Sequence, residues 1–215
     1  MAKPLTKSGY DRAIRALVER DDDLAKVVSN FGKPPRRIRD PGFATLALLI
    51  LEQQVSLASA QATYGRLEAS CGVVRPESVL LLKDDDLKSI GVSRQKTRYL
   101  RLLAEAINCG SLDLDGLGDL GDDAVRGQLT RITGIGDWTA DIYLLSALQR
   151  IDVWPTKDLA LQVAAHEIKG LDARPDHIRL AKIGELWRPY RTVAARILWH
   201  YYLNTKRFKR KDVTP

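Results

Sequence analysis

The sequence predicts an all-α protein, and three observations carry that prediction. Leu, Ile, Val and Ala supply most of the apolar content, which is 45% of 215 residues, and strand punctuation is sparse. Apolar residues recur at helical spacing in segment after segment. The breaks between those segments carry capping chemistry: Ser56 and Ser93 stand ahead of apolar runs, Pro76 at a helix start and Gly91 at a helix end. A chain of this length buries a sizeable core, as one domain or two small ones.

In order, the region from Tyr10 to Val28 predicts a first helix, with Ile14, Leu17, Val18 and Leu24 on its apolar side. Pro34 and Pro35 stop any helix behind them. Asp40-Pro-Gly42 is a turn, and a helical pattern runs from Phe43 to Leu51. It resumes behind the N-cap Ser56 through Ala58, Ala62 and Leu67. Two short helices follow, one opened by Pro76 and one running from Asp84 to a glycine cap at Gly91. Ser93 caps a helix carrying Tyr99, Leu102, Leu103 and Ile107. The stretch from Asn108 to Gly121 is rich in Gly and Asp and reads as a linker. Helices are expected from Ala124 to Arg131, Asp137 to Gln149, Thr156 to Ile168 and Ile178 to Leu186, with Pro189 to Asn204 closing the fold.

Several function classes are excluded by what the residues lack. The apolar run Leu46 to Leu51 is ended by Glu52-Gln-Gln54, too soon to span a bilayer, so no membrane role is expected. No hydrophobic stretch follows the charged start of the chain, so an intracellular protein is expected, in the cytoplasm or nucleoid of a prokaryote. Cys71 and Cys109 show neither disulfide nor CxxC spacing, and His166, His177 and His200 show no metal-ligand spacing. The net charge of +7 favours polyanion partners. Three basic clusters carry it: Lys33 to Arg39, Arg94 to Arg98 and Lys206 to Lys211, the last read as a frayed tail.

The most informative stretch is Leu129-Thr-Arg-Ile-Thr-Gly-Ile-Gly-Asp-Trp-Thr-Ala140, followed by Trp154-Pro-Thr-Lys-Asp158. The first reads as helix, Gly-x-Gly turn, helix. Such a turn aims the N–H groups of the second helix outward at the positive end of its dipole, a phosphate-binding surface. One glycine takes positive φ, and the other lets a sugar-phosphate backbone come close. Asp158 then places a carboxylate in the first turn of a helix capped by Thr156, where the dipole favours its ionised form. Asp137, Asp141 and Asp152 compete with it but suit capping or helix-surface roles. The segment Leu87 to Thr97 echoes the same layout, either as a second phosphate contact or as an ordinary helix corner.

These residues resemble the helix-hairpin-helix DNA glycosylase superfamily, and within it the alkylbase branch of the 3-methyladenine DNA glycosylase II type. Leu51-Glu-Gln-Gln-Val-Ser-Leu-Ala-Ser-Ala60 resembles its wedge-loop segment, and Glu185 to Trp199 its late helix. The resemblance implies two helical lobes around a DNA-binding cleft: residues 43–122 as a middle lobe, and residues 1–42 with 123–215 as the lobe carrying the hairpin and the catalytic aspartate. It implies a monomer acting on duplex DNA that contains damaged bases, flipping the base and hydrolysing its N-glycosidic bond.

By the same resemblance, Asp158 is the catalytic residue. Trp138 and Tyr190 form the base pocket, Gln54 or its neighbour Gln53 fills the gap left in the stack, and the amides of Gly134, Gly136 and Trp138 contact phosphate. Bifunctional members carry lysine at position 138 to form a Schiff base, so Trp138 implies a monofunctional enzyme without lyase activity. No cofactor is required. A monovalent or divalent cation in the hairpin would be held by the main-chain carbonyls of Thr130, Ile132 and Gly134. Trp154, Trp187 and Trp199 are expected in the core. Two rival readings stay open: a non-enzymatic helix-hairpin-helix DNA-binding module, and a glycosylase for other damaged bases.

Overall fold

Helix α3 (Phe43–Glu52) is apolar almost all round its circumference, and eight of its ten residues are buried. A helix with no polar stripe must be covered on every side. In the computed structural model, which describes residues 4–211, helices α4 (Leu57–Cys71), α7 (Arg94–Asn108) and α9 (Asp137–Ser146) pack around it. Helix α5 (Pro76–Leu81) lies on α7, α6 (Asp84–Ser89) abuts α7, and α8 (Asp122–Thr130) pairs with α9. These elements make one compact unit, Arg39–Leu148. The all-helical prediction holds: no strand occurs among the described residues.

The caps are those the sequence advertises. Ser56 Oγ accepts from Ser59 N–H and opens α4, and Ser93 Oγ accepts from Lys96 N–H and opens α7. Three aspartates fill the first turn of α6, where the dipole favours them. The linker expected from Asn108 to Gly121 contains a single 3-10 turn, Gly116–Asp119.

The second unit joins residues 4–38 to 149–211. It holds α1 (Lys7–Arg20), α2 (Asp22–Phe31), α10 (Leu159–Ile168), α11 (His177–Glu185) and α12 (Arg191–Lys211). Helix α12 packs on α1, α2 and α10. Leu17, Leu24, Leu161, Leu180, Trp187 and Leu198 are fully buried in this core. Trp154 and Trp187 meet edge to face with centroids 5.2 Å apart, as their expected core role requires.

Three expectations need correction. The single helix expected from Tyr10 to Val28 is broken at Asp21, whose backbone is extended and whose carboxylate caps α2. The boundary expected near residue 122 falls after Leu148, because residues 139–146 of α9 are all buried and pack against α3 and α8. The last basic cluster, expected as a frayed tail, lies on α12, which runs to Lys211.

Candidate DNA-repair site

In the first unit the hairpin joins α8 to α9. Ile132 N–H closes on Leu129 O and Ile135 N–H on Ile132 O, which turns the chain within six residues. The two glycines do different jobs. Gly134 has φ +100, and a Cβ there would overlap the Tyr99 ring of α7, so this position demands glycine for both backbone and packing reasons. Gly136 is exposed, and a Cβ there meets nothing within 4 Å. The glycine open to an approaching backbone is therefore Gly136, which sits at the N-cap of α9. Trp138, the second residue of α9, is half-buried.

The segment Glu52-Gln-Gln54 divides its labour residue by residue. Glu52 is buried and receives Arg39 Nη2 at 2.8 and 3.1 Å on its two oxygens. Gln53 turns toward the hairpin: Nε2 donates to Gly134 O at 2.8 Å and to Thr139 Oγ1 at 3.1 Å. Gln54 is exposed and left-handed, with φ 57, and begins the turn into α4. Lys96 Nζ reaches from α7 to Leu51 O at 2.7 Å and caps the end of α3; burial holds its amine below the ordinary lysine value.

The carbonyls that would hold a cation are partly engaged. Ile132 O accepts Ile135 N–H at 2.9 Å and Gly134 O accepts Gln53. Each carbonyl oxygen keeps a second lone pair, and hard oxygen donors suit a monovalent or alkaline-earth ion, so the residues fit such a group. Among the described residues no cluster of three or more His, Cys, Asp or Glu could hold a metal.

In the second unit Asp158 is the N-cap of α10 itself; the cap does not come from Thr156. Its Oδ1 accepts Leu161 N–H at 2.9 Å and the Trp199 indole N–H at 3.0 Å. Asp158 is 7% exposed. Trp199, expected only as core, both packs against the core and orients this carboxylate. Nothing in its own stretch of sequence signals that second duty, because its partner lies 41 residues away. Tyr190 is half-buried against the same core, with the Arg20 guanidinium 5.9 Å from its ring centre.

The competing carboxylates are engaged elsewhere. Asp141 is buried and ion-paired: Arg126 Nη2 lies 2.8 Å from its Oδ1, a stronger tie than the surface role expected for it. Asp152 receives Arg188 at 2.9 Å and Arg191 at 3.0 Å. Asp137 is exposed at the start of α9. His200 Nε2 lies 2.9 Å from Phe31 O, while His177 is exposed and His166 half-buried.

An all-helical fold with a Gly-x-Gly hairpin between two helices, and a buried, oriented aspartate at a helix start further along the chain, defines a base-excision class of protein. The family model for the HhH-GPD superfamily base excision DNA repair proteins matches residues 47–189, and the chain belongs to that superfamily. A Mycobacterium tuberculosis protein described as "Probable bifunctional transcriptional activator/DNA repair enzyme" is 32% identical over 83% of the chain, which spans 37% of that protein's length. The crystal structure of a DNA-3-methyladenine glycosidase from Bacillus halodurans superposes with a TM-score of 0.74 at 33% identity, covering 88% of each chain. The Schizosaccharomyces pombe 3-methyladenine DNA glycosylase, solved with abasic DNA, gives a TM-score of 0.80 at 28% identity, covering 87% of this chain and 95% of its own.

Proposed function

We propose that the chain is a monofunctional DNA glycosylase that removes alkylated purines from duplex DNA, acting as a monomer in base excision repair. The observation that carries the reading is Asp158, a buried carboxylate whose Oδ1 accepts from the Trp199 indole and the Leu161 amide. The names of two relatives, a DNA-3-methyladenine glycosidase and a 3-methyladenine DNA glycosylase, support the lesion class.

A purine alkylated at N3 or N7 is cationic, so its bond to the sugar needs little help to break. The bond electrons go to the base, which leaves neutral, and positive charge develops on the sugar. Asp158 stabilises that charge, and it draws the proton from the water that then bonds to the anomeric carbon. The product is free base and an intact abasic site. Trp138 has no amine to form a Schiff base, which is the ground for expecting no strand cleavage. Its indole offers an aromatic face for an electron-poor flipped base, and the ring of Tyr190 offers one in the second unit.

The exposed Gln54 would fill the gap in the stack; both amide N–H groups of Gln53 are engaged with the hairpin. The amides of Gly134, Gly136 and Trp138 would hold a backbone phosphate. A cation on the carbonyls of Thr130, Ile132 and Gly134 would add positive charge to that contact and take no part in bond breaking.

Base release from methylated duplex DNA tests the reading. Native protein should release methylated purine and leave abasic strands uncleaved, and Asp158→Asn should bind duplex DNA without releasing base. Duplex binding with no release from any methylated purine would overturn the enzyme and leave a binding module. Strand scission at the abasic site would overturn the monofunctional assignment.

A further inference from the structure

The geometry points to Gln53 as a positioning residue that ties the turn carrying Gln54 to the hairpin backbone around Gly136 and Trp138. A primary amide offers two N–H donors, and Gln53 commits one to Gly134 O and the other to Thr139 Oγ1. Those two acceptors bracket the hairpin's exposed turn: Gly134 precedes Gly136, and Thr139, itself 2% exposed, follows Trp138 on α9. One side chain thus spans the segment proposed to grip phosphate.

The root of that side chain is equally fixed. Gln53 is the C-cap of the buried α3, its N–H on Ile50 O. Lys96 holds the carbonyl two residues earlier, Leu51 O, and Tyr99 from the same α7 fills the space behind Gly134. The next residue is Gln54, exposed and in a left-handed conformation. A displacement of the hairpin is therefore felt one residue from the proposed plug, with no flexible segment between. The coupling is sharpest at the step where phosphate grip and base displacement must coincide. Precise relative placement of such groups is what accelerates a reaction after binding is complete.

The inference rests on the glycosylase reading for its DNA measurements alone. The experiment therefore includes one measurement without DNA. Two variants serve: Gln53→Met, similar in length and without donors, and Gln53→Glu, whose ionised form cannot donate. Amide hydrogen exchange from Ile135 to Ala140 should quicken by about tenfold or more in Gln53→Met, with α1 and α12 unchanged. Under saturating enzyme, single-turnover release of methylated purine should slow by about tenfold, while affinity for undamaged duplex stays within about threefold. Gln53→Glu should be equally slow near pH 8. It should recover relative to the native chain as the pH is lowered, because a protonated carboxyl again has one O–H to give Gly134 O.

Unchanged hairpin exchange in Gln53→Met would overturn the inference, whatever the DNA assays give. So would native release by Gln53→Met, or a parallel fall in release, affinity and melting temperature. Failure of the native chain to release any base would instead sink the glycosylase reading, leaving the exchange result to decide the role of Gln53.

Discussion

Two aspartates cap helices of the same unit and each accepts from an indole and a backbone amide, yet different work is proposed for them. Asp21 caps α2, accepts Leu24 N–H at 3.2 Å and the Trp187 indole at 2.7 Å, and holds Lys169 Nζ at 2.8 Å from both of its oxygens. Asp158 caps α10, and its Oδ1 accepts Leu161 N–H at 2.9 Å and the Trp199 indole at 3.0 Å. An ammonium lying across both oxygens commits Asp21 to holding α2 and α10 together. Asp158 also receives an indole and a backbone amide, and the work proposed for it is on substrate. The pair teaches that an aspartate at a helix start, even with an indole and an amide on it, is uninformative until its surroundings in the fold are known.

The largest expected effect separates them by chemistry. Asp158→Asn keeps a carbonyl oxygen for both donors, and Asn is as good an N-cap as Asp. Base release should fall by about a thousandfold or more, while the thermal midpoint moves by only a few degrees. A large drop in melting temperature with release retained by the folded fraction would erase the distinction between the two aspartates.

Asp21→Asn should do the opposite. Removing one charge from this part-buried pair costs about 2 kcal/mol near neutral pH, read by urea denaturation, with release by folded protein within about twofold of native. Burial alone would raise the Asp21 carboxyl, but hydrogen bonds from Lys169 and Trp187 outweigh it and hold the group below its ordinary value. A depressed folded value stabilises above the unfolded pKa of about 3.9 and is lost as the pH falls through the folded value. The gap between native and Asp21→Asn should therefore be full at pH 7 and close below about pH 4. Lys169 is raised by the same contacts against its own burial, so its contribution persists until the pH climbs through that raised value.

The smallest effects sharpen the same contrast at the indoles. Trp199→Phe removes one donor from Asp158 and should slow release by about tenfold, costing roughly 1 kcal/mol of stability. Trp187→Phe removes the donor from Asp21 and loses packing against Trp154. It should cost about 2 kcal/mol and leave release by folded protein unchanged. Equal stability losses with equal release would show that neither indole orients its aspartate.

What could be read from the sequence was local. Ser56 and Ser93 cap α4 and α7 as their positions announce, because a cap is decided within four residues. The hairpin was legible for the same reason. The break at Asp21 was not, since Leu17 and Leu24 continue one helical pattern across it and the contacts that hold the break come from Lys169 and Trp187. Gln53 read as an ambiguous partner of Gln54, because its acceptors Gly134 and Thr139 lie 81 and 86 residues away. That Gly134 is the glycine with positive φ, with Tyr99 filling the space where a Cβ would stand, shows only once α7 is packed. The hairpin's membership in the first unit was equally hidden, since α9 and α3 are apolar helices with no local mark of which partner each will cover.

The broken connectivity of the second unit has a consequence for synthesis. Asp21 leaves the ribosome 148 residues before Lys169 and 166 before Trp187. Helices α1 and α2 must therefore wait, with Leu17 and Leu24 uncovered, while the contiguous stretch Arg39–Leu148 emerges and folds behind them. Nascent chains stalled with Arg39–Leu148 clear of the ribosome and α12 still inside it should hold a protease-resistant stretch over 39–148 and a cleavable one over 4–38. Resistance should spread to residues 4–38 only when α12 is free to pack, so a segment made before the first unit becomes native after it.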